Sequence, residues 1–185
     1  YARYPQYRTR TGGVVTLEAR INDCFERSLN GHAIERSSSA MTDLVAYMWY
    51  ISRGVPVDGK IAGQGIKPLS VQNGDTLRGQ AIFAANCVAC HGNNGGGSTV
   101  APALWGAHSF NVGAAMARVQ TASSFIRYNM PFDRPGVLDD QQSLDVAAYL
   151  SNRPRPDFRG KENDWPKGDA PPDVPYALKS AKSGS

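Results

Sequence analysis

Three residues near the middle of the chain, Cys87, Cys90 and His91, have the types and the spacing that attach haem covalently to a protein. Two thiols three positions apart on one helical turn can reach the two vinyl groups of a haem, and the histidine that follows points its imidazole at the iron. A zinc half-site or a redox dithiol would be the alternative, but the sequence has neither a second Cys/His pair for zinc nor a β-α-β pattern around the motif. The motif therefore predicts haem c, with thioether links to Cys87 and Cys90 and with His91 as the proximal iron ligand.

The iron needs a distal ligand, and Met130 is the best candidate in the sequence. It stands in the non-helical stretch 129–132, before Pro131 and about 40 residues after His91. A thioether on a loop stiffened by proline can approach the open face of the haem, and histidine–methionine ligation raises the reduction potential. The alternative is that Met130 only packs, and that the iron is five-coordinate or bound by another residue. The other candidates are Met41, Met48, Met116, His32 and His108.

The third cysteine, Cys24, is left over once the haem has taken two thiols. On a helix, Arg20 and Ser28 would lie on the same line as Cys24, one turn to each side. A cation beside a thiol favours the thiolate, which is the form that ligates metals and attacks sulfur. A buried inert thiol or an intermolecular disulfide would also account for a single leftover cysteine. The residues alone leave these interpretations open.

The composition fits a folded protein without a membrane span. The 185 residues are 41% hydrophobic, which is enough for a modest core, and no run of about 18 apolar residues occurs. The formal net charge of +4 is small and the basic residues are scattered among acids, so no nucleic-acid partner is predicted. The sequence starts at Tyr1 without a signal-peptide pattern, and bacteria attach haem c outside the cytoplasm. We therefore expect a periplasmic protein whose targeting segment has been removed or was never included.

Five segments with helical periodicity position these residues. Apolar residues recur every three to four positions in each segment, and the pair Asp139 and Gln142 has the spacing of a capping box before the last one. The stretch 57–74 contains several glycines and no sustained periodicity, which predicts a linker, placed at 67–74. Six prolines follow Arg153, so residues 154–185 are expected to form an extended or partly disordered tail. The predicted helices are 16–30, 41–54, 75–91, 112–120 and 140–152.

The second half of the chain resembles a class I cytochrome c domain. Residues 75–152 contain, in order, a helix, the haem motif, an Ala-Pro-Ala-Leu segment at 101–104, the methionine loop and a closing helix. Pro102 matches the proline that packs beside the proximal histidine of that family and sets its orientation. The residues that match the family's contact between the first and last helices are Gly79, Phe83 and Tyr149.

The first half resembles the first domain of the dihaem thiosulfate dehydrogenases and, more distantly, is similar to the cysteine-ligated cytochromes of the Sox sulfur-oxidising system. The resemblance is carried by Tyr-Pro-Gln-Tyr at 4–7 with Arg10, by Leu-Glu-Ala-Arg-Ile-Asn-Asp-Cys-Phe-Glu-Arg-Ser at 17–28, and by the helix at 41–54. It implies an all-α fold of two small cytochrome c-like domains, 1–66 and 75–153. The first of these, which would hold the active-site haem, is expected to be incomplete in this sequence.

The resemblance also implies a function. In that family a first haem, ligated by histidine and by a cysteine thiolate, joins two thiosulfates to tetrathionate or performs the reverse reaction, and a second haem passes electrons to another cytochrome or a similar acceptor. By matching position, Cys24 would be the axial sulfur ligand of the first haem, and Arg10, Arg20 and Ser28 would surround the substrate. Guanidinium forks and a hydroxyl donor suit a doubly charged oxyanion.

The sequence departs from the family pattern in two respects. This sequence has one haem-attachment motif, whereas the family's first motif lies upstream of the part that matches Tyr1, so a second haem beside Cys24 would be attached through residues outside this sequence. Asn129 stands where many members have a lysine just before the loop methionine, so exchange of a lysine for Met130 is not expected here. The alternative function is a non-catalytic electron carrier or a cytochrome subunit of a redox complex, with a structural Cys24.

Overall fold

The computed structural model describes residues 1–59, 61–63 and 65–179, and the last six positions of the predicted tail lie outside this part. The described chain is helical, with one small antiparallel sheet, so the predicted all-α class is confirmed and the sheet is an addition to it. None of the described helices is long and apolar enough to cross a membrane. The strands are β1 (Gln6–Arg8) and β2 (Gly13–Val15), and the helices are α1 (Leu17–Asp23), α2 (Ser39–Ile51), α3 (Thr76–Asn86), α4 (Val88–His91), α5 (Val119–Asn129) and α6 (Asp140–Ser151).

The first predicted helix changes its geometry halfway along. Thr16 caps α1 by accepting a hydrogen bond from the backbone N–H of Ala19, and the regular helix ends at Asp23. A π-helical turn, Cys24–Ser28, follows directly, and the backbone N–H of Leu29 donates to Cys24 O across 3.0 Å. π-helical turns are rare in proteins, and those that occur are often found at functional sites. Cys24 therefore lies at the point where the helix widens.

The N-terminal core is small. Leu17 and Ile21 of α1 pack against Met41 of α2, which is almost completely buried. Ser38 caps α2 by accepting from the backbone N–H of Met41 at 3.2 Å. The other apolar residues that α2 turns towards this core, Leu44, Val45 and Met48, are only partly covered, and Trp49 is exposed.

The second core is larger and forms where α3 crosses α6. At Gly79 a Cβ atom would lie 2.0 Å from the carbonyl oxygen of Asp145, so only glycine allows the two backbones to approach this closely. Phe83 and Tyr149 pack beside it with ring centroids 5.5 Å apart, and Trp105 lies 5.3 Å from Phe83. The contact between the first and last helices is thus the one that the resemblance implied.

The predicted helix at 112–120 is wrong. The chain forms only a short 3-10 turn there, Ala115–Ala117, and α5 begins at Val119. The preceding residues are held by the N-terminal half instead, because the Asn111 side chain donates to Glu26 O at 2.7 Å and to Asn30 Oδ1 at 3.1 Å. These long-range hydrogen bonds outweigh the local helical preference.

The described part of the proline-rich tail, 154–179, runs back across both halves of the molecule. It contains one 3-10 turn, Lys161–Asn163, and otherwise irregular backbone. Asp164 and Trp165 of this segment are buried. The backbone N–H of Trp165 donates to Arg10 O at 2.8 Å, which ties the tail to the turn between β1 and β2.

Candidate haem sites and an arginine-lined pocket

The haem-attachment motif lies at the junction of α3 and α4. The backbone N–H groups of Cys90 and His91 both donate to Cys87 O, at 3.2 and 2.9 Å, so both cysteines and the histidine share one helical turn. All three cysteines of the chain lie in the described part and none forms a disulfide. Burial, with a smaller contribution from Cys90, raises the pKa of the Cys87 thiol to about 11, so this side chain stays protonated at neutral pH.

His91 is oriented by a backbone carbonyl. Its Nδ1 lies 2.9 Å from Pro102 O, and because a carbonyl only accepts, Nδ1 must carry the hydrogen and Nε2 keeps the lone pair that binds a metal. The segment that contains Pro102 packs directly against Gly97, and only glycine leaves room for this approach. Gly97 has a φ of +84°, and a Cβ there would be 2.6 Å from the backbone nitrogen of Ala103.

Met130 follows the last residue of α5, and its backbone N–H donates to Ile126 O at 2.9 Å. Its side chain is half-buried and packs against the second core. A set of partly covered apolar side chains around this core could lie against a flat macrocycle: Ile82, Val88, Leu104, Trp105, Met116 and Val119. Two thiols, an imidazole with a free Nε2 and a nearby thioether make a donor set that fits haem c.

The other candidate iron ligands are less suitable. Met41 is buried in the N-terminal core and Met48 packs against that core, while His32 and His108 are exposed. Met116 packs against the same core as Met130. The ligand set of the iron stays a prediction for all of these residues.

Cys24 is half-buried and contacts a cation. Arg20 Nη1 lies 2.7 Å from Cys24 Sγ and 3.3 Å from Asp23 Oδ2. The sequence placed Arg20 and Cys24 one turn apart, and the structure brings them into direct contact. The sulfur of Cys24 is a soft donor of the kind that ligates haem iron. Cys24 could therefore hold an iron from the side of the N-terminal half.

An open pocket of about 500 Å³ is lined by Arg20, Asp23 and Ser28, which flank Cys24 in sequence, whereas Cys24 itself is not one of the lining residues. Three parts of the chain form its wall: the β1–β2 hairpin, the helix around Asp23, and the region that precedes α5, with the tail closing one side. Five arginines line it, and three of them, Arg8, Arg27 and Arg118, were not predicted as site residues. The predicted residues Arg10, Arg20 and Ser28 also line the pocket.

Arg27 is the most firmly held of these arginines. Its Nη1 and Nη2 donate to Asp164 Oδ2 and Oδ1 at 2.7 and 2.8 Å, and its Nε lies 2.6 Å from Asp23 Oδ1. Although burial by itself would lower it, these carboxylates raise the pKa of Arg27. The guanidinium also lies 4.1 Å from the ring centroid of Phe158. Arg27 therefore stabilises the wall of the pocket, and few of its N–H donors remain available to a ligand.

Arg10 is partly committed as well. Its Nη1 donates to Gly113 O at 2.7 Å and its guanidinium lies 4.6 Å from the ring centroid of Trp165. Burial lowers the pKa of Arg10, with a further contribution from the charge of Arg27, yet an arginine stays charged at any physiological pH. Asp164, which contacts both arginines, also accepts from the Tyr176 hydroxyl at 2.6 Å. Burial and this hydrogen bond raise the pKa of Tyr176 to about 12.

One chain of charged contacts connects the tail to the cysteine. Asp164 binds Arg27, Arg27 and Arg20 share the carboxylate of Asp23, and Arg20 donates to Cys24. Helical spacing could have indicated the pairs at Asp23, since Arg27 follows it by four positions. No local pattern could have indicated Asp164.

Comparison with known proteins identifies the fold. The helical fold is that of c-type cytochromes: residues 76–154 match the family Cytochrome c, and residues 1–57 match the family SoxA/TsdA, cytochrome c domain. The chain is 44% identical to the thiosulfate dehydrogenase of Allochromatium vinosum over 169 residues and 44% identical to that of Psychrobacter arcticus over 178 residues. The predicted resemblance to the thiosulfate dehydrogenases is therefore confirmed.

A solved structure is also similar. The thiosulfate dehydrogenase (TsdBA) from Marichromatium purpuratum aligns with 94% of this chain at a TM-score of 0.83 and 33% sequence identity. The relatives are longer than this chain. The matches include 88% and 92% of it, but only 63% of the Allochromatium protein, 54% of the Psychrobacter protein and 41% of the Marichromatium chain.

Proposed function

We propose that this chain oxidises thiosulfate as the part of a thiosulfate dehydrogenase that contains both the sulfur-binding pocket and the electron outlet. Two thiosulfate dianions form one S–S bond, giving one tetrathionate dianion and two electrons, and the same residues serve the reverse reaction. The electrons leave one at a time to another cytochrome or a similar acceptor. The location that we propose is the periplasm, because haem c is attached outside the bacterial cytoplasm.

The observation that carries the proposal is the contact between Arg20 and Cys24 beside the arginine-lined pocket. Cys24 does not line the pocket itself, but it contacts Arg20, which does. A soft sulfur therefore lies beside the space that a divalent oxyanion would enter, and guanidinium groups surround that space. The 44% identity to curated thiosulfate dehydrogenases supports the choice of anion.

The residues of each half have distinct tasks in this proposal. Arg20, Arg10 and Ser28 bind the anionic oxygens, and Cys24, in contact with Arg20, supplies the soft sulfur ligand. Two haems, one attached at Cys87 and Cys90 and one beside Cys24 attached through residues outside this sequence, would supply one-electron acceptors when bound. Pro102 holds His91 in the tautomer that ligates iron, and Met130 completes the ligand set that raises the potential of the outlet.

The test is the substitution Cys24→Gly in the full-length, haem-loaded protein. Thiosulfate-dependent reduction of an artificial acceptor should fall to background, because the sulfur ligand beside the pocket is lost. Haem content and thermal unfolding should be close to those of the unsubstituted protein. Electron paramagnetic resonance should show the loss of a low-spin signal from cysteine-ligated iron.

The alternative, a non-catalytic electron carrier, makes the opposite prediction. One haem in each full-length molecule, no cysteine-ligated signal, and reduction rates that Cys24→Gly leaves unaltered would together refute the enzyme proposal. Electron exchange with a partner cytochrome would then continue without thiosulfate.

A further inference from the structure

We infer that Arg118, which belongs to the cytochrome c domain and not to the N-terminal half, binds an oxyanion group of the substrate. The inference rests on the proposed function and adds a residue to its substrate site. Arg118 lies between the 3-10 turn and α5, at the N-cap position of that helix, and it lines the same pocket as Arg20 and Ser28.

The hydrogen bonds of Arg118 leave part of its guanidinium free. Nη2 donates to Thr121 Oγ1 at 2.8 Å, whereas Nε lies 3.8 Å from Asp173 Oδ1, which is too far for a hydrogen bond. Within the described part of the chain, neither Nε nor Nη1 donates a hydrogen bond, but Nε is buried, so Nη1 is the unpaired nitrogen that a ligand in the pocket could reach. Arg27, by contrast, has carboxylates at all three nitrogens. The guanidinium of Arg118 is thus more available to a ligand than the guanidinium of Arg27.

Asp173 keeps Arg118 in place without pairing closely with it. Asp173 Oδ2 accepts from the backbone N–H of Gln120 at 2.9 Å, at the first turn of α5. The carboxylate is therefore committed to the helix, where the unpaired N–H groups of the first turn stabilise it. The Arg118 side chain is 23% exposed, so part of it remains accessible.

The charge around the pocket favours a divalent anion. Five guanidinium groups line it, and among the described residues three carboxylates contact them: Asp23, Asp164 and Asp173. Two positive charges are left without a counter-charge. Joining two thiosulfates also requires two separate oxyanion groups to be held at once, and Arg20 beside Cys24 would hold one of them. Arg118 comes from another part of the chain and would hold the second.

The test compares Arg118→Gln with Arg159→Gln in the full-length, haem-loaded protein. Arg159 is exposed on the tail and does not line the pocket, so this control removes the same charge elsewhere. Loss of a charge-assisted hydrogen bond should raise the KM for thiosulfate about tenfold or more in Arg118→Gln, with kcat changed less, and Arg159→Gln should match the unsubstituted protein. Arg118→Lys should recover part of the loss because it keeps the charge.

Three results would overturn the inference while leaving the proposed function intact. They are an equal KM in the two glutamine variants, a fall in kcat alone, and a lysine variant as impaired as the glutamine variant, which would indicate a role in positioning α5. If the unsubstituted protein does not oxidise thiosulfate, the proposed function fails. Calorimetry with sulfate then decides whether Arg118 binds an oxyanion. Weaker sulfate binding in Arg118→Gln than in Arg159→Gln would then support the anion site, and equal binding would refute it.

Discussion

Arg27 and Asp164 are 137 positions apart and form a two-pronged ion pair, with nitrogen–oxygen distances of 2.7 and 2.8 Å. Both side chains are buried. The pair joins the N-terminal half to the tail, and Arg27 lines the pocket that also contains Arg10, Arg20 and Ser28. The tail that the proline content predicted as extended or partly disordered therefore takes part in the site.

Replacing Asp164 by asparagine should destabilise the protein strongly. The amide cannot neutralise Arg27, and a buried charge without its partner costs roughly 3–5 kcal/mol of the free energy of unfolding. Denaturant unfolding of the haem-loaded protein measures this loss. Asp157→Asn is the control, because Asp157 is largely exposed where it pairs with Lys161, and this pair is expected to contribute less than about 1 kcal/mol. Equal losses in both variants would contradict the structural role of Asp164.

Gly79→Ala should also destabilise the fold, through overpacking. The added Cβ would lie 2.0 Å from Asp145 O and 2.9 Å from the Cβ of Tyr149, so α3 and α6 must separate. The expected loss is about 1–3 kcal/mol or more of the free energy of unfolding. Gly13→Ala is the matched control, since a Cβ at Gly13 would meet no atom within 4 Å. A variant at Gly79 as stable as the one at Gly13 would show that the helices do not cross here.

The contribution of Asp145 to stability should depend on pH. Burial alone would raise its pKa, but hydrogen bonds from Arg78, from the backbone of Asp75 and from Gln141 lower it below the ordinary value. A carboxyl with a depressed pKa stabilises the fold above its unfolded-state pKa of about 3.9, and this stabilisation is lost as the pH falls through the lower folded-state pKa.

The measurement is the difference in free energy of unfolding between the unsubstituted protein and Asp145→Asn. We expect about 1–3 kcal/mol near neutral pH, decreasing below about pH 4. Asp140→Asn serves as the comparison, because Asp140 pairs with Arg127 at a partly exposed site. A difference that does not change between neutral and acidic pH would argue against ionised Asp145 as the stabilising form.

Met130→Ala should lower the reduction potential of the haem attached at Cys87 and Cys90, because a thioether ligand favours reduced iron. Redox titration followed by visible spectroscopy measures the change. Met116→Ala is a close control, since Met116 packs against the same core and is not the predicted ligand. If Met116→Ala lowers the potential and Met130→Ala does not, Met116 and not Met130 is the distal ligand.

Local patterns predicted most of the helices. The predicted capping box of Asp139 with Gln142 is present and marks the true start of α6. The contact of Arg20 with Cys24 also follows from helical spacing. These features depend on residues within about one turn of each other, which is the range over which sequence patterns are informative.

The errors and omissions involve partners far apart in the chain. The helix predicted at 112–120 fails because Asn111 is bound to Glu26 and Asn30, more than 80 positions earlier. Arg118 reaches the pocket only through the packing of the two halves. The β1–β2 hairpin was missed because each strand has only three residues, which is too short for an alternating pattern to be recognised.

The distance in sequence between Arg27 and Asp164 has a consequence for synthesis. Arg27 leaves the ribosome 137 residues before its partner, so the N-terminal half exists for much of translation without the carboxylate that neutralises this cation. The pocket can form only after Asp164 has been synthesised, when the haem-attachment motif has already emerged. Cys87 and Cys90 therefore leave the ribosome before the anion pocket can form.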